Sequence, residues 1–194
     1  MNRLLVIYQS RFALLRLLQL PENVAVLIEK DDDLDFVDNH GIKSLASLKH
    51  KAVGDRLTDL SIDFWKSLRI WLSRYNRDGQ SQSNLRFFIF TTSQVSDNSF
   101  LGSFVSTNNS DSAFDLDSVK EVLSKTTSKV ITPIKEEFDL LNEEEMEDFL
   151  SRIVIFDQSP RIEDIPKIII ENHIDFFISF IVIRKCRIRR RICV

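Results

Sequence analysis

Four aspartates fall within five residues, Asp31-Asp32-Asp33-Leu34-Asp35, and further along the chain a serine and a lysine stand two apart in Ser47-Leu48-Lys49. Grouped carboxylates suit a hard divalent cation, because Mg²⁺ takes oxygen ligands through one or two carboxylates, waters and substrate phosphates. A lysine beside such a centre can orient an attacking water or steady the charge that develops on a phosphate. On extended backbone, side chains two apart share a face, so Asp33 and Asp35 would project together, as would Ser47 and Lys49. The same residues also fit a solvated acidic turn followed by a strand-end lysine. Other chemistries lack their motifs: the chain has no glycine-rich phosphate loop, no GxSxG and no HExxH. His40, His50 and His173 are scattered, and Cys186 and Cys193 both lie in the last nine residues with no paired metal spacing.

Two strands and flanking helices would have to position these groups. Leu4, Tyr8, Phe12, Leu15 and Leu18 recur at helical spacing, which predicts an amphipathic helix over residues 3–19 closed by Pro21. Strands are expected at Val24–Glu29, Leu34–Val37 and Ile42–His50, with Asn39-His40-Gly41 as the turn between the last two. Ser61 is a suitable N-cap for a helix through about Tyr75 with Ile62, Trp65, Leu68 and Leu72 as its apolar stripe. The run Leu85–Thr91 reads as a buried strand. Trp65 and Trp71 could stack on bases, but on an apolar helix face core packing is the better reading. Lys66, Arg69, Arg74 and Arg77 fit either a phosphate-tracking stripe or an ordinary solvated face.

Beyond residue 95 the character changes. Residues 98–112 are rich in Ser and Asn and read as a connector. Helices are expected over 115–127, 134–141 and 143–152, then a short strand at Ile153–Phe156 and a helix-like stretch at 162–183. The organisation expected is a first domain over 1–95, a helical region over 113–183 and a basic tail over 184–194. Charge follows the same division: +2 over residues 1–92, −11 over 93–183 and +6 over the last eleven. A nucleic-acid partner needs local positive charge to displace counterions, so the first part or the tail would have to supply it. The longest uncharged stretch near the end, Phe176–Ile183, is too short to span a bilayer, and Arg11 and Arg16 interrupt the apolar N-terminus as no signal peptide would. A cytoplasmic protein with no membrane partner is expected.

The segments YQSRFALLRLL, VAVLIEKDDDLDF, LASLKHKA, LTDLSIDFWKSLRIWL and FFIFTT occur in that order. In order and distance they resemble the double-stranded DNA endonuclease domain of CD-NTase-associated effector nucleases and of three-component ABC-ATPase defence systems. That family belongs to the PD-(D/E)xK superfamily, on its Mrr-like branch. The resemblance covers roughly residues 7–92 and, more loosely, the helical region to about 175. It implies an α/β fold with a restriction-endonuclease-like αβββαβ core, and Mg²⁺-dependent cleavage of double-stranded DNA, with Mn²⁺ as a substitute. The acidic position of the active centre maps to Asp33, with Asp32 and Asp35 as alternatives. The lysine maps to Lys49, a helix-one polar residue to Gln9, and Glu29 stands close enough in sequence to assist. The family carries Gln or Glu where this chain has Ser47, a shorter and weaker ligand. The ending FISFIVIRKCRIRRRICV departs from the family's helical continuation, as a truncation or shifted reading frame would produce. The expected function is therefore a DNA endonuclease-like domain of an anti-phage effector, with a defence-system partner protein. The alternative is a non-catalytic relative that binds DNA or a partner.

Overall fold

A computed structural model describes residues 3–106 and 116–172, and their order is that of a mixed α/β protein. Helix α1 spans Arg3–Gln19, followed by strands β1 (Val24–Ile28), β2 (Leu34–Asp38) and β3 (Lys43–Lys49). A two-residue strand β4 (Arg56–Leu57) leads into helix α2 (Ile62–Arg77) and strand β5 (Leu85–Thr91). The short strand β6 (Gln94–Val95) pairs in parallel with β4. Helices α3 (Leu116–Lys125), α4 (Thr132–Phe138) and α5 (Glu143–Ser151) precede strand β7 (Ile153–Phe156), and residues 165–172 form helix α6.

Five strands make one sheet in the order β1-β2-β3-β5-β7. The first two pairings are antiparallel, and β3–β5 and β5–β7 are parallel. All four strands expected in the first 91 residues lie in it, and β7 adds the fifth. Helices cover both faces. Alternation along β3 sends Ala46 and Leu48 toward α1, where they pack with Tyr8, Phe12, Leu15, Leu34, Phe36, Phe90 and Ile165. Leu45 faces the other way, into a core with Trp65, Leu68, Trp71, Phe87, Ile89, Phe149 and Ile155. The stripe read on α2 is buried at Trp65, Leu68 and Leu72, whereas Ile62 is exposed in the first turn. Both tryptophans are fully buried, so neither presents a face on which a base could stack.

The helical region is continuous with this core. Val119, Leu123, Ile134, Phe138 and Phe149 belong to the same buried cluster as α2 and β5, and β7 pairs directly with β5. Helix α5 starts with a capping box: Asn142 accepts from the Glu145 N–H, and Glu145 accepts from the Asn142 N–H. Within the expected connector, residues Phe100–Phe104 form a 3₁₀ helix that buries Leu101 and Phe104. Residues 107–112 of that connector, the stretch 173–183, His173, Cys186, Cys193 and the basic tail lie outside the described residues. No helix among the described residues is long and apolar enough to cross a membrane.

Candidate functional site

The aspartate run forms a self-bonded turn ahead of β2. The Asp33 N–H donates to Asp32 Oδ1 at 2.9 Å, and the Asp32 N–H to Asp35 Oδ1 at 3.3 Å. Glu29 closes the turn from β1, donating its N–H to the Asp33 carbonyl at 3.1 Å with φ of 52°. These short polar side chains bond their own backbone, which is why the strand begins only at Leu34.

Asp33 stands where the β2–β3 ladder stops. The last pairing is Leu34 with Ala46, so the Leu48 N–H, two residues on, has no strand partner on that side. Asp33 Oδ2 accepts it at 2.7 Å, and Asp33 Oδ1 accepts from Gln9 Nε2 of α1 at 2.8 Å. Gln9 is only 2% exposed, and its Oε1 is buried with no hydrogen-bond partner. Asp33 thus ties the first helix to the third strand.

The other aspartates turn to the α2 side. Asp32 Oδ2 accepts from Trp71 Nε1 at 2.7 Å. Burial pushes the Asp32 carboxyl above its ordinary value, opposed by the Trp71 hydrogen bond and by the positive charge of Lys49. Asp35 is fully buried, and its Oδ2 lies 3.0 Å from Lys43 Nζ, an ion pair outside hydrogen-bond geometry. Lys43 also donates to Asp31, whose other oxygen accepts from Arg74 Nη1 at 2.8 Å. The hydrogen bond from Lys43 holds the Asp31 carboxyl below its usual range. Asp33 and Asp35, expected to act together from one face, therefore have separate partners: Gln9 and Leu48 for one, Lys43 for the other.

Ser47 and Lys49 do share a face of β3, toward α2. The Ser47 and Ser67 hydroxyls are hydrogen-bonded at 2.9 Å, and Ser47 is 2% exposed. Lys49 is half-buried at the strand's end, and its positive charge offsets part of the upward shift that burial imposes on Asp32. Against the opposing effect of burial, it also adds to the hydrogen bond and charge of Lys51 that lower the Asp63 carboxyl. Its neighbours are paired, Lys43 with Asp31 and Asp35, and Lys51 with Asp63. No ion pair or side-chain hydrogen bond joins Lys49 to any of the described residues.

Among the described residues no three His, Cys, Asp or Glu side chains converge as a ready metal cage. Sequence reasoning missed Lys43 and Ser67, and read Arg74 only as one of the basic residues along α2. Lys43 is two residues before Leu45, the register partner of Asp35, and so on the same face, a relation that only the strand register reveals. Of the basic residues read on α2, Arg74 serves Asp31 and Asp78, Arg77 serves Asp78, and Arg69 faces Glu137. In comparisons with known proteins, no family model matches the chain and no curated protein matches it.

Proposed function

We propose that α1, β1–β3, α2 and β5 form a restriction-endonuclease-like unit that cuts double-stranded DNA, as part of a bacterial anti-phage defence effector. The observation that carries this reading is Lys49: a half-buried ammonium beside Asp32, left without a counter-ion among the described residues while the lysines on either side are paired. An unpaired cation at the mouth of an acidic turn is what a phosphodiester can use. The order and spacing of the sequence segments around it supply the family reading, the DNA substrate and the expectation of a defence-system partner protein.

The donors for a hard divalent cation lie about the aspartate turn. Asp32, turned to Trp71 of α2, and Asp33, turned to Gln9 of α1, offer carboxylates from successive residues, and Gln9 Oε1 is a buried acceptor next to Asp33 with no partner among the described residues. Those three residues would hold Mg²⁺ or Mn²⁺, and Asp35, committed to Lys43, would not. The cation would polarise the scissile phosphate and lower the pKa of a bound water. Asp33 is held in orientation by Leu48 and Gln9, so its carboxylate needs no rearrangement to present a lone pair. Lys49 contributes charge to the phosphate as it becomes pentavalent. Asp32 must be ionised to act, and burial holds its proton to a higher pH than an ordinary aspartate, so cleavage should fall off on mild acidification.

The test is supercoiled-plasmid cleavage across a Mg²⁺ titration, wild type against Lys49→Ala and Asp33→Asn. Loss of cleavage in both, with folded protein by circular dichroism, is the expected result. Equal cleavage by Lys49→Ala and wild type would overturn the role of Lys49. A second reading has its own observation: Ser47, at the position where the family carries a longer ligand, has its hydroxyl buried against Ser67. On that reading the unit binds DNA without cutting it, and wild type would shift a duplex in a gel yet leave the plasmid intact.

A further inference from the structure

The face of the sheet opposite Lys49 carries a second concentration of unpaired positive charge. Arg16 lies in the last turn of α1 and Arg86 near the start of β5, and both line a cavity of about 210 Å³ between α1 and the sheet. Arg86 points to this face with Phe88 and Phe90, because Leu85, Phe87 and Ile89 alternate into the other core. Arg86 has no ion-pair or hydrogen-bond partner among the described residues.

Arg16 is the more telling group. Its guanidinium stands over the Phe90 ring, 5.3 Å from the centroid, and Nη1 donates to Gln19 Oε1 at 3.2 Å. Its Nε is buried with no acceptor, and no carboxylate pairs with it among the described residues. Burial draws its pKa below the ordinary arginine value, the mark of a cation that has lost water without gaining an anion. A guanidinium remains charged in proteins, so the missing partner is a cost that an anion would relieve.

The rest of the cavity sets the kind of anion. Phe36 and Phe88 form apolar wall, and the Ser44 hydroxyl adds one polar group. Asp38 also lines the cavity, but its Oδ1 already accepts from the His40 and Ile42 N–H groups at 2.9 Å each. Two arginines against one aspartate leave the site net positive. Its volume falls below the ~300–1,000 Å³ of pockets for drug-sized ligands, so the occupant must be small.

We infer that this cavity binds a small organic anion, a carboxylate or phosphate head held by Arg16 and Arg86 on a flat apolar body lying against Phe36 and Phe88. The inference is independent of the nuclease reading, since the cavity is on the other face of the sheet from Lys49 and Asp32. Isothermal titration of the full chain with phenyl phosphate, benzoate, inorganic phosphate and benzyl alcohol tests it. One or both aromatic anions should bind at a single site. Arg86→Ala, an exposed position that leaves the core intact, and Arg16→Gln should each weaken that binding by about tenfold or more. Benzyl alcohol, with the ring but no charge, and inorganic phosphate, with the charge but no ring, should both bind about tenfold more weakly than the aromatic anions. Failure of both aromatic anions to bind at millimolar concentration would overturn the inference. So would undiminished binding by folded Arg86→Ala, or inorganic phosphate binding as tightly as phenyl phosphate.

Discussion

Substituting Asp33 by alanine removes the acceptor of two hydrogen bonds at once, and the surroundings make the loss calculable. The Leu48 N–H, at 2.7 Å, lies beyond the end of the β2–β3 ladder and has no other partner there. Gln9, at 2.8 Å, is buried and already carries one unsatisfied amide oxygen. Hydrogen bonds to a charged group contribute ~1.5–3 kcal/mol each, and the partial exposure of Asp33 argues for the low end, giving about 3 kcal/mol for the pair. For a chain of this size that is a fall in Tm of roughly 6–12 °C. Asparagine behaves differently. Its Oδ1 can still accept from Leu48, and its Nδ2 can donate to Gln9 once the Gln9 amide turns over and presents Oε1, exchanging one unpaired amide atom for the other. Asp33→Asn should therefore cost less than about 1 kcal/mol while removing the negative charge. Urea denaturation followed by circular dichroism measures both. An alanine variant as stable as wild type would refute the bridging role of Asp33, and an asparagine variant as unstable as alanine would show that charge, not hydrogen-bond count, holds α1 to β3.

Three further outcomes follow from the same contacts. The proton on Asp32 is held more tightly in the folded chain than in the unfolded one, so its contribution to stability is full below the ordinary aspartate pKa. It is lost as pH rises through the raised folded value; the stability of Asp32→Asn relative to wild type should thus increase from acid toward neutral pH in parallel denaturation curves, and a constant difference would refute the shift. Arg152→Ala should destabilise by about 3 kcal/mol or more, because one guanidinium donates to both Asp148 oxygens, at 2.9 and 3.1 Å, and to the Ser81, Ser83 and Leu85 carbonyls; Arg152→Lys should not restore the loss. Ser47→Gln should cost about 1–3 kcal/mol in thermal melts because the longer side chain must enter the packed interface of β3 and α2; an unchanged Tm would mean that the interface has room.

The elements of the first 91 residues were legible because period and punctuation agree. Helix α1 and strand β5 have the bounds that the apolar spacing predicts, and β2 and β3 differ from expectation only at their ends. What escaped was set by distant contacts. A two-residue strand such as β4 has no period to read, and its pairing with β6 depends on the fold around it. The Ser- and Asn-rich character of residues 98–112 outweighed Phe100, Leu101 and Phe104, which pack against Phe64 and the α2 core. At the site, composition singled out the aspartate turn and Lys49. Strand alternation was then applied to Asp33 as though it lay within β2, whereas it precedes the strand and caps its neighbour. The pairing of Lys43 with Asp31 and Asp35 required the β2–β3 register, which spacing alone does not give.

The position of β7 bears on how the chain acquires its shape during synthesis. Strand β5, with its run Phe87, Phe88, Ile89 and Phe90, leaves the ribosome well before the residues that close its open edge. Until Ile153–Phe156 emerges, one side of that apolar strand presents unpaired backbone groups, a template for association with other chains. A nascent chain paused near residue 95, or a fragment ended there, carries every residue of the aspartate turn and Lys49 but also this bare edge. The acidic helix α5 stands immediately ahead of β7, so the closing strand is made directly after a strongly charged segment. Among the described residues the sheet is thus completed by its most C-terminal strand, made well after β5.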